Sequence, residues 1–364
     1  MENQMNIKLV LEDGSEFPGY SFGDEGVRDR VCNVVFNTSM VGYQEIVSDP
    51  AYADQFVVMT YTLIGNYGMT EEDYESKSLS IGGLIVREYN DQPSNFRYTK
   101  TLEEVMCEHH IPGIWGIDTR MLTRKLRDHG SSMRGILTST YTTTASALAM
   151  IRVTPEPTDA VARVSCKKRW YTRTANAKHN IVAIDCGMKT NIVRTMTAKG
   201  CNVTVVPYNT TAAQIEALGP DGVIVSSGPG NPEHATAVIE SVKEIYGKYP
   251  IFGIGLGCQI LCLAKGAKIV TLPHGHRGGA PVRCTEDGKI TSTAQNHAYA
   301  VNRDSLAGTG LTVLYENVTD LSVEGVKDAE NNVIGVQFAP ESAPGPQDNY
   351  ALFDRFIAMM KEDN

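Results

Sequence analysis

The sequence predicts an α/β protein in two parts: an N-terminal mixed α/β domain rich in strands, then a domain built on a mostly parallel sheet flanked by helices. Three observations carry this. From residue 179 onward, apolar strand-like runs alternate with helix-like segments across short loops, the pattern of βαβ units and a parallel sheet covered on both faces. The first 150 residues hold short strand runs with few helical periods. The length, 364 residues, exceeds one comfortable core and suits two domains.

In the first part (1–150), IKLVLEDGSEF alternates about an Asp-Gly turn, and VCNVVFNTS, QFVVMTY and SIGGLIVRE are further strand runs. Helices are expected over 101–110 and over 119–130, the second stopping at Gly130. Residues 151–178 carry prolines and mixed charge without a sustained period and are assigned as the linker. In the second part (179–364), NIVAID, NVTVVPY, GVIVSSG and IFGIG are the strands of the alternation. ITSTAQNHAYAV, LTVLYEN and VIGVQF follow as later strands, and YALFDRFIAMM as a final helix. Ligands of such sheets collect at the carboxyl ends of the strands, where 226-SSGPGNP-232 and the turn at 255 fall.

A formal charge of −9, from 33 basic and 42 acidic residues, gives no reason to expect a nucleic-acid partner. No run approaches eighteen apolar residues, so no membrane span is expected, and the first residues lack a signal-peptide pattern. Eight scattered cysteines read as reduced thiols of a cytoplasmic protein. No phosphate loop, dinucleotide glycine word or zinc-ligand spacing is present, so neither a cofactor nor a metal is expected on this chain.

The stretch 250-PIFGIGLGCQILCLAKG-266 has the framework of a nucleophile elbow: strand, tight glycine turn, helix. Its central position, normally serine or cysteine, is Gly255. Glycine there relieves a backbone strain of roughly 1–3 kcal/mol that functional sites sustain.

The words FNTSMVGYQEIVSDPAY, TLIGNYG, PSNFR and GIWGIDTRMLTRKLR, with SSGPGNP, the elbow, HGHRGG, AQNH and PESAPGP, resemble the small subunit of glutamine-dependent carbamoyl-phosphate synthetase over nearly the whole chain. The resemblance implies a class I glutamine amidotransferase-like second domain and a large-subunit partner that holds the ATP and metal. It also implies service in pyrimidine or arginine supply. It places the family's cysteine at Gly255, its histidine at Ala339 and its orienting carboxylate at Glu341. The glutamine-pocket positions fall on Ala51, Gly228, Gly230, Leu256, Gln259, Asn296, Ala298 and Tyr299.

Hydrolysis of an amide needs a thiolate, a histidine, a carboxylate and backbone donors for the oxyanion. With two of the triad positions replaced, the expectation is a glutaminase-deficient small subunit, a pseudoenzyme that stabilises or regulates an ammonia-using large subunit and binds glutamine or another small ligand weakly. The alternatives are an active glutamine-hydrolysing subunit with Cys258 as displaced nucleophile, and a scaffold or small-molecule binding protein on the same fold. Arg120, Arg124, Lys125 and Arg127 form a basic stripe, read either as a solvated helix face or as part of the surface that docks on the large subunit.

Overall fold

The computed structural model describes residues 5–130 and 132–360. The chain divides into two compact units between Pro157 and Thr158. The span 151–178 is not bare chain. It holds the end of helix Thr144–Val153, the short helix Ala160–Val164 and the strand Trp170–Thr172.

The first unit is a closed barrel of seven strands: β1 (Ile7–Leu11), β2 (Glu16–Gly23), β3 (Arg30–Asn37), β4 (Gln55–Met59), β5 (Gly83–Ile85), β6 (Pro112–Trp115) and β7 (Met133–Ser139). They close in the order β1-β2-β6-β5-β4-β3-β7. Alternation about the Asp-Gly turn yields the β1–β2 hairpin, with Leu9 opposite Phe17. One apolar cluster joins Leu9, Val34, Phe56, Ile85, Ile114 and Leu137 of this barrel with Leu122 and Leu126 of a helix.

That helix is α2 (Thr119–His129), capped by the Asp118 carboxylate on the Met121 amide and ended by Gly130 at φ 75. The helix before it, α1 (Leu102–Glu108), begins with a reciprocal capping box between Thr101 and Glu104. Both helices therefore start where the sequence supplies the capping chemistry, and α2 also stops there, at Gly130.

The second unit is a ten-stranded sheet flanked by helices: β8 (Trp170–Thr172), β9 (His179–Asp185), β10 (Cys201–Pro207), β11 (Gly222–Val225), β12 (Ile251–Ile254), β13 (Ile269–Cys284), β14 (Ile290–Val301), β15 (Thr312–Asn317), β16 (Val323–Asp328) and β17 (Val333–Val336). The order is β8-β10-β9-β11-β12-β17-β16-β14-β13-β15. The stretch β10-β9-β11-β12-β17 is parallel, as the βαβ alternation predicts. The strands beyond β17 pair antiparallel.

Helices α3 (Thr190–Ala198), α4 (Thr236–Ile245), α5 (Leu256–Ala264) and α6 (Ala351–Ala358) cover the sheet. One core joins α3 and α6 to the sheet through Ile192, Met196, Phe353 and Phe356, with Phe252 between them. A second joins α4 and α5 through Val238, Val242, Ile260 and Leu261. No helix among the described residues is long and apolar enough to cross a membrane.

Candidate active site

The site forms where β12 turns into α5. Gly255 sits at φ 57 and ψ −115, and its amide donates to the Val336 carbonyl at 2.8 Å. A side chain is disfavoured at such a φ, but there is nearly room for one: a Cβ built there would lie 3.3 Å from the Ser227 Cβ. Gly257 is fixed by packing instead, because its Cβ would come within 2.0 Å of the Val225 carbonyl oxygen. The bend of an elbow is thus kept, and it is pressed against the 226–232 loop.

That loop completes one wall. The Gly257 amide donates to the Ser226 carbonyl at 3.1 Å. Gly228 packs so closely that a Cβ would meet the Cys186 carbonyl oxygen at 2.1 Å and the Leu256 side chain at 2.9 Å. Gly228, Leu256 and Gly255 are therefore brought together. Gly230, at φ 86, lies against Ala160. The Ser227 hydroxyl and the Asn296 amide nitrogen are buried without a hydrogen-bond partner among the described residues, a state that buried polar groups rarely tolerate without a ligand or water.

Gln259, one turn along α5, donates to the Tyr299 carbonyl at 3.0 Å and to Gln337 Oε1 at 3.0 Å. Ala298 precedes Tyr299 on β14, beside the Gly275 bend in β13. Ala339 lies just past β17, its amide donating to the Ala294 carbonyl at 2.9 Å. Ala51 belongs to the first unit, buried in a 3₁₀ turn whose Asp49 side chain accepts its amide at 2.9 Å.

Glu341 is fully buried, and Lys189 Nζ lies 2.9 Å from its Oε1. The same ammonium donates to the Ser342 carbonyl at 2.5 Å. The carboxylate expected to orient an imidazole is thus matched to a lysine. Sequence reading missed Lys189, although its place just after β9, at the carboxyl edge of the parallel strands, was the available signal.

Cys258 is fully buried among Cys262, Ala267, Val301, Leu306 and Val326. A hydrogen bond with Cys262 and burial push its thiol well above the ordinary cysteine range. In this conformation it faces the β17 backbone, close enough that a Cβ on Gly335 would lie 2.9 Å from its sulfur.

A second polar cluster, unforeseen in the sequence, lies on β13, β14 and β16. Glu324, fully buried, has His276 Nδ1 at 2.9 Å from Oε1 and His297 Nε2 at 3.5 Å from Oε2. Burial would raise the Glu324 carboxyl, but the His297 and His276 rings hold it well below its usual range. Its three members come from three strands, so no local motif announces them.

Residues 9–137 match the family model for the carbamoyl-phosphate synthase small chain, CPSase domain, and residues 182–359 match the class I glutamine amidotransferase model. The carbamoyl phosphate synthase small chain of Staphylococcus epidermidis is 43% identical over 97% of this chain and 96% of its own length. That of Fusobacterium nucleatum is 47% identical over 97% of each. The pyrimidine-specific small chain of Halalkalibacterium halodurans is 45% identical over 99% of this chain and 98% of its own.

The chain belongs to the carbamoyl-phosphate synthase small-chain family. The relatives also correct one expectation. The expectation of a glutaminase-deficient pseudoenzyme is contradicted by these relatives, 43–47% identical along nearly the full length, which carry the small-chain name, one of them as the pyrimidine-specific form. That reading rested on the residue types at 255 and 339 alone, and it is withdrawn in favour of a small chain in the ordinary sense of the family.

Proposed function

We propose that this protein works as the small chain of a carbamoyl-phosphate synthase: it pairs with a large chain, and its second unit offers that partner a glutamine-amidotransferase pocket. The observation that supports this most is the occurrence of both family domains in one chain, in order, at 9–137 and 182–359. The pocket frame agrees with it. The bend at Gly255, the Gly228 loop and the Gln259–Tyr299 contact keep the frame of a site at the strand ends, with Ser227 and Asn296 holding unused hydrogen-bonding capacity for a polar ligand such as an amide. ATP, bicarbonate and the metal chemistry belong to the large chain in this reading.

The test is co-expression with the large chain from the same genome. A stable complex that forms carbamoyl phosphate from ATP, bicarbonate and a nitrogen donor, glutamine or ammonium, is the expected result. A large chain that purifies alone, with activity indifferent to this protein, would overturn the proposal. Supplying glutamine and ammonium in separate assays then reads the elbow directly, because turnover of glutamine requires a nucleophile other than residue 255. Repeating the glutamine assay with Cys258→Ser shows whether a rearranged Cys258 is that nucleophile.

A further inference from the structure

The cluster on β13, β14 and β16 brings together a set of side chains that could hold a metal ion as well as form a buried ion pair. His276, His297 and Glu324 each offer one ligand atom, and these atoms lie within 4.8 Å of one another. The two rings stand edge to face, 82° apart, with centroids separated by 4.9 Å. Tetrahedral ligands at ~2.0–2.1 Å from zinc lie roughly 3.3 Å apart. Glu324 meets the rings through different oxygens, Oε1 at 2.9 Å from His276 and Oε2 at 3.5 Å from His297, so a bound ion would draw the three ligand atoms toward one centre.

The outer nitrogens supply an independent sign. A metal-bound histidine characteristically donates its other ring N–H to a carboxylate or a carbonyl, which fixes the ring and its tautomer. Here the His276 Nε2 faces the Asp320 carboxylate at 2.9 Å, and the His297 Nδ1 faces the Tyr299 carbonyl at 2.8 Å. Both rings are thus clamped from outside by acceptors, with His276 Nδ1 and His297 Nε2 aimed inward at one carboxylate.

Glu324 is braced in the same way: Asn317 Nδ2 donates to Oε1 at 3.1 Å and Gln295 Nε2 to Oε2 at 3.1 Å. Gln295 Oε1 accepts from His297 Nε2 at 2.8 Å. Metal entry would exchange that bond for a coordinate one and leave the amide oxygen beside the fourth position.

We propose that His276, His297 and Glu324 bind one divalent transition-metal ion of the zinc class, with Asp320 and the Tyr299 carbonyl as the orienting acceptors. Imidazole with a single carboxylate suits zinc over magnesium or calcium, which take oxygen ligands. The ion would be structural or regulatory, because the Tyr299 carbonyl that clamps His297 also accepts from Gln259 on the elbow helix.

The experiment uses the full chain, stripped with EDTA and reloaded with zinc, then passed through gel filtration and measured for bound metal. One equivalent is expected, and cobalt(II) in its place should give the visible absorption of a low-coordinate, nitrogen-ligated ion. His276→Asn and His297→Asn should lose the stoichiometric metal, whereas His274→Asn, at an exposed neighbour, should keep it. Asp320→Asn, on the surface, should weaken binding about 10–100-fold without abolishing it. Circular dichroism checks each variant's fold, and if His297→Asn fails to fold, His276→Asn and Asp320→Asn decide. Substoichiometric metal, a spectrum of hydrated cobalt, or equal binding by the ligand variants would overturn the proposal.

Discussion

At the scale of single residues, the buried Lys189–Glu341 pair is the most exposed to test. Both side chains are almost wholly out of water, where removing one partner leaves an uncompensated charge. Lys189→Met is expected to destabilise the second unit by about 3–5 kcal/mol, and adding Glu341→Gln should recover much of that loss, because the remaining group no longer carries a charge. Denaturant unfolding of the two single variants and the double variant measures the coupling. Strict additivity would show that the two groups do not depend on each other.

At the scale of elements, one ion-pair cluster ties the final helix to the antiparallel half of the sheet. Glu286, in the turn after β13, accepts from Arg355 of α6 at 2.7 and 3.1 Å, and Lys327 of β16 lies at 2.5 Å. The Arg355 guanidinium, then the Lys327 ammonium, hold the Glu286 carboxyl down at about 2, against an ordinary 4.5. A lowered folded-state value means stability that is present above pH 4.5 and lost as the pH falls toward about 2. Acid titration of the unfolding midpoint should therefore show a decline between these values that Glu286→Gln reduces. An unchanged profile in that variant would remove the tie. The group is partly exposed, so the effect should be modest and smaller in high salt.

The elements also divide by how legible they were in the sequence. Periodicity and caps marked α1, α2 and the parallel strands, because each is specified within a dozen residues. The sixteen-residue strand β13 was hidden. Pro273, Gly275, Gly278, Gly279 and Pro281 read as breakers, yet the strand absorbs them through a register shift between Thr271 and His276 and through pairing with β14 and β15. The elbow and its loop were legible as motifs. The Lys189 partner of Glu341 and the His276–His297–Glu324 cluster were not, because they meet only when distant strands and loops come together.

At the scale of the whole molecule, each unit has hydrophobic clusters made of its own residues: barrel strands and α2 in the first, sheet and flanking helices in the second. Separate expression of the two parts, divided between Pro157 and Thr158, should give two soluble products that each unfold cooperatively. A product that stays unfolded alone but folds when its counterpart is added would show that its core is completed from outside. The outcome bears on assembly with a large chain, since a unit that folds independently can dock as a preformed surface.

The bend at residue 255 has a consequence in the currency of heredity. Its backbone angles are held by the Val336 carbonyl and by the packing of Gly257, neither of which involves a side chain at 255. In space, a Cβ there asks a few tenths of an ångström from Ser227; the further cost is the backbone strain of φ 57. Glycine codons ending in a pyrimidine lie a single base change from those of cysteine and serine. The scaffold therefore leaves space for another residue at this position, which would carry the backbone strain that φ 57 imposes, while Gly257 beside it has no space at all.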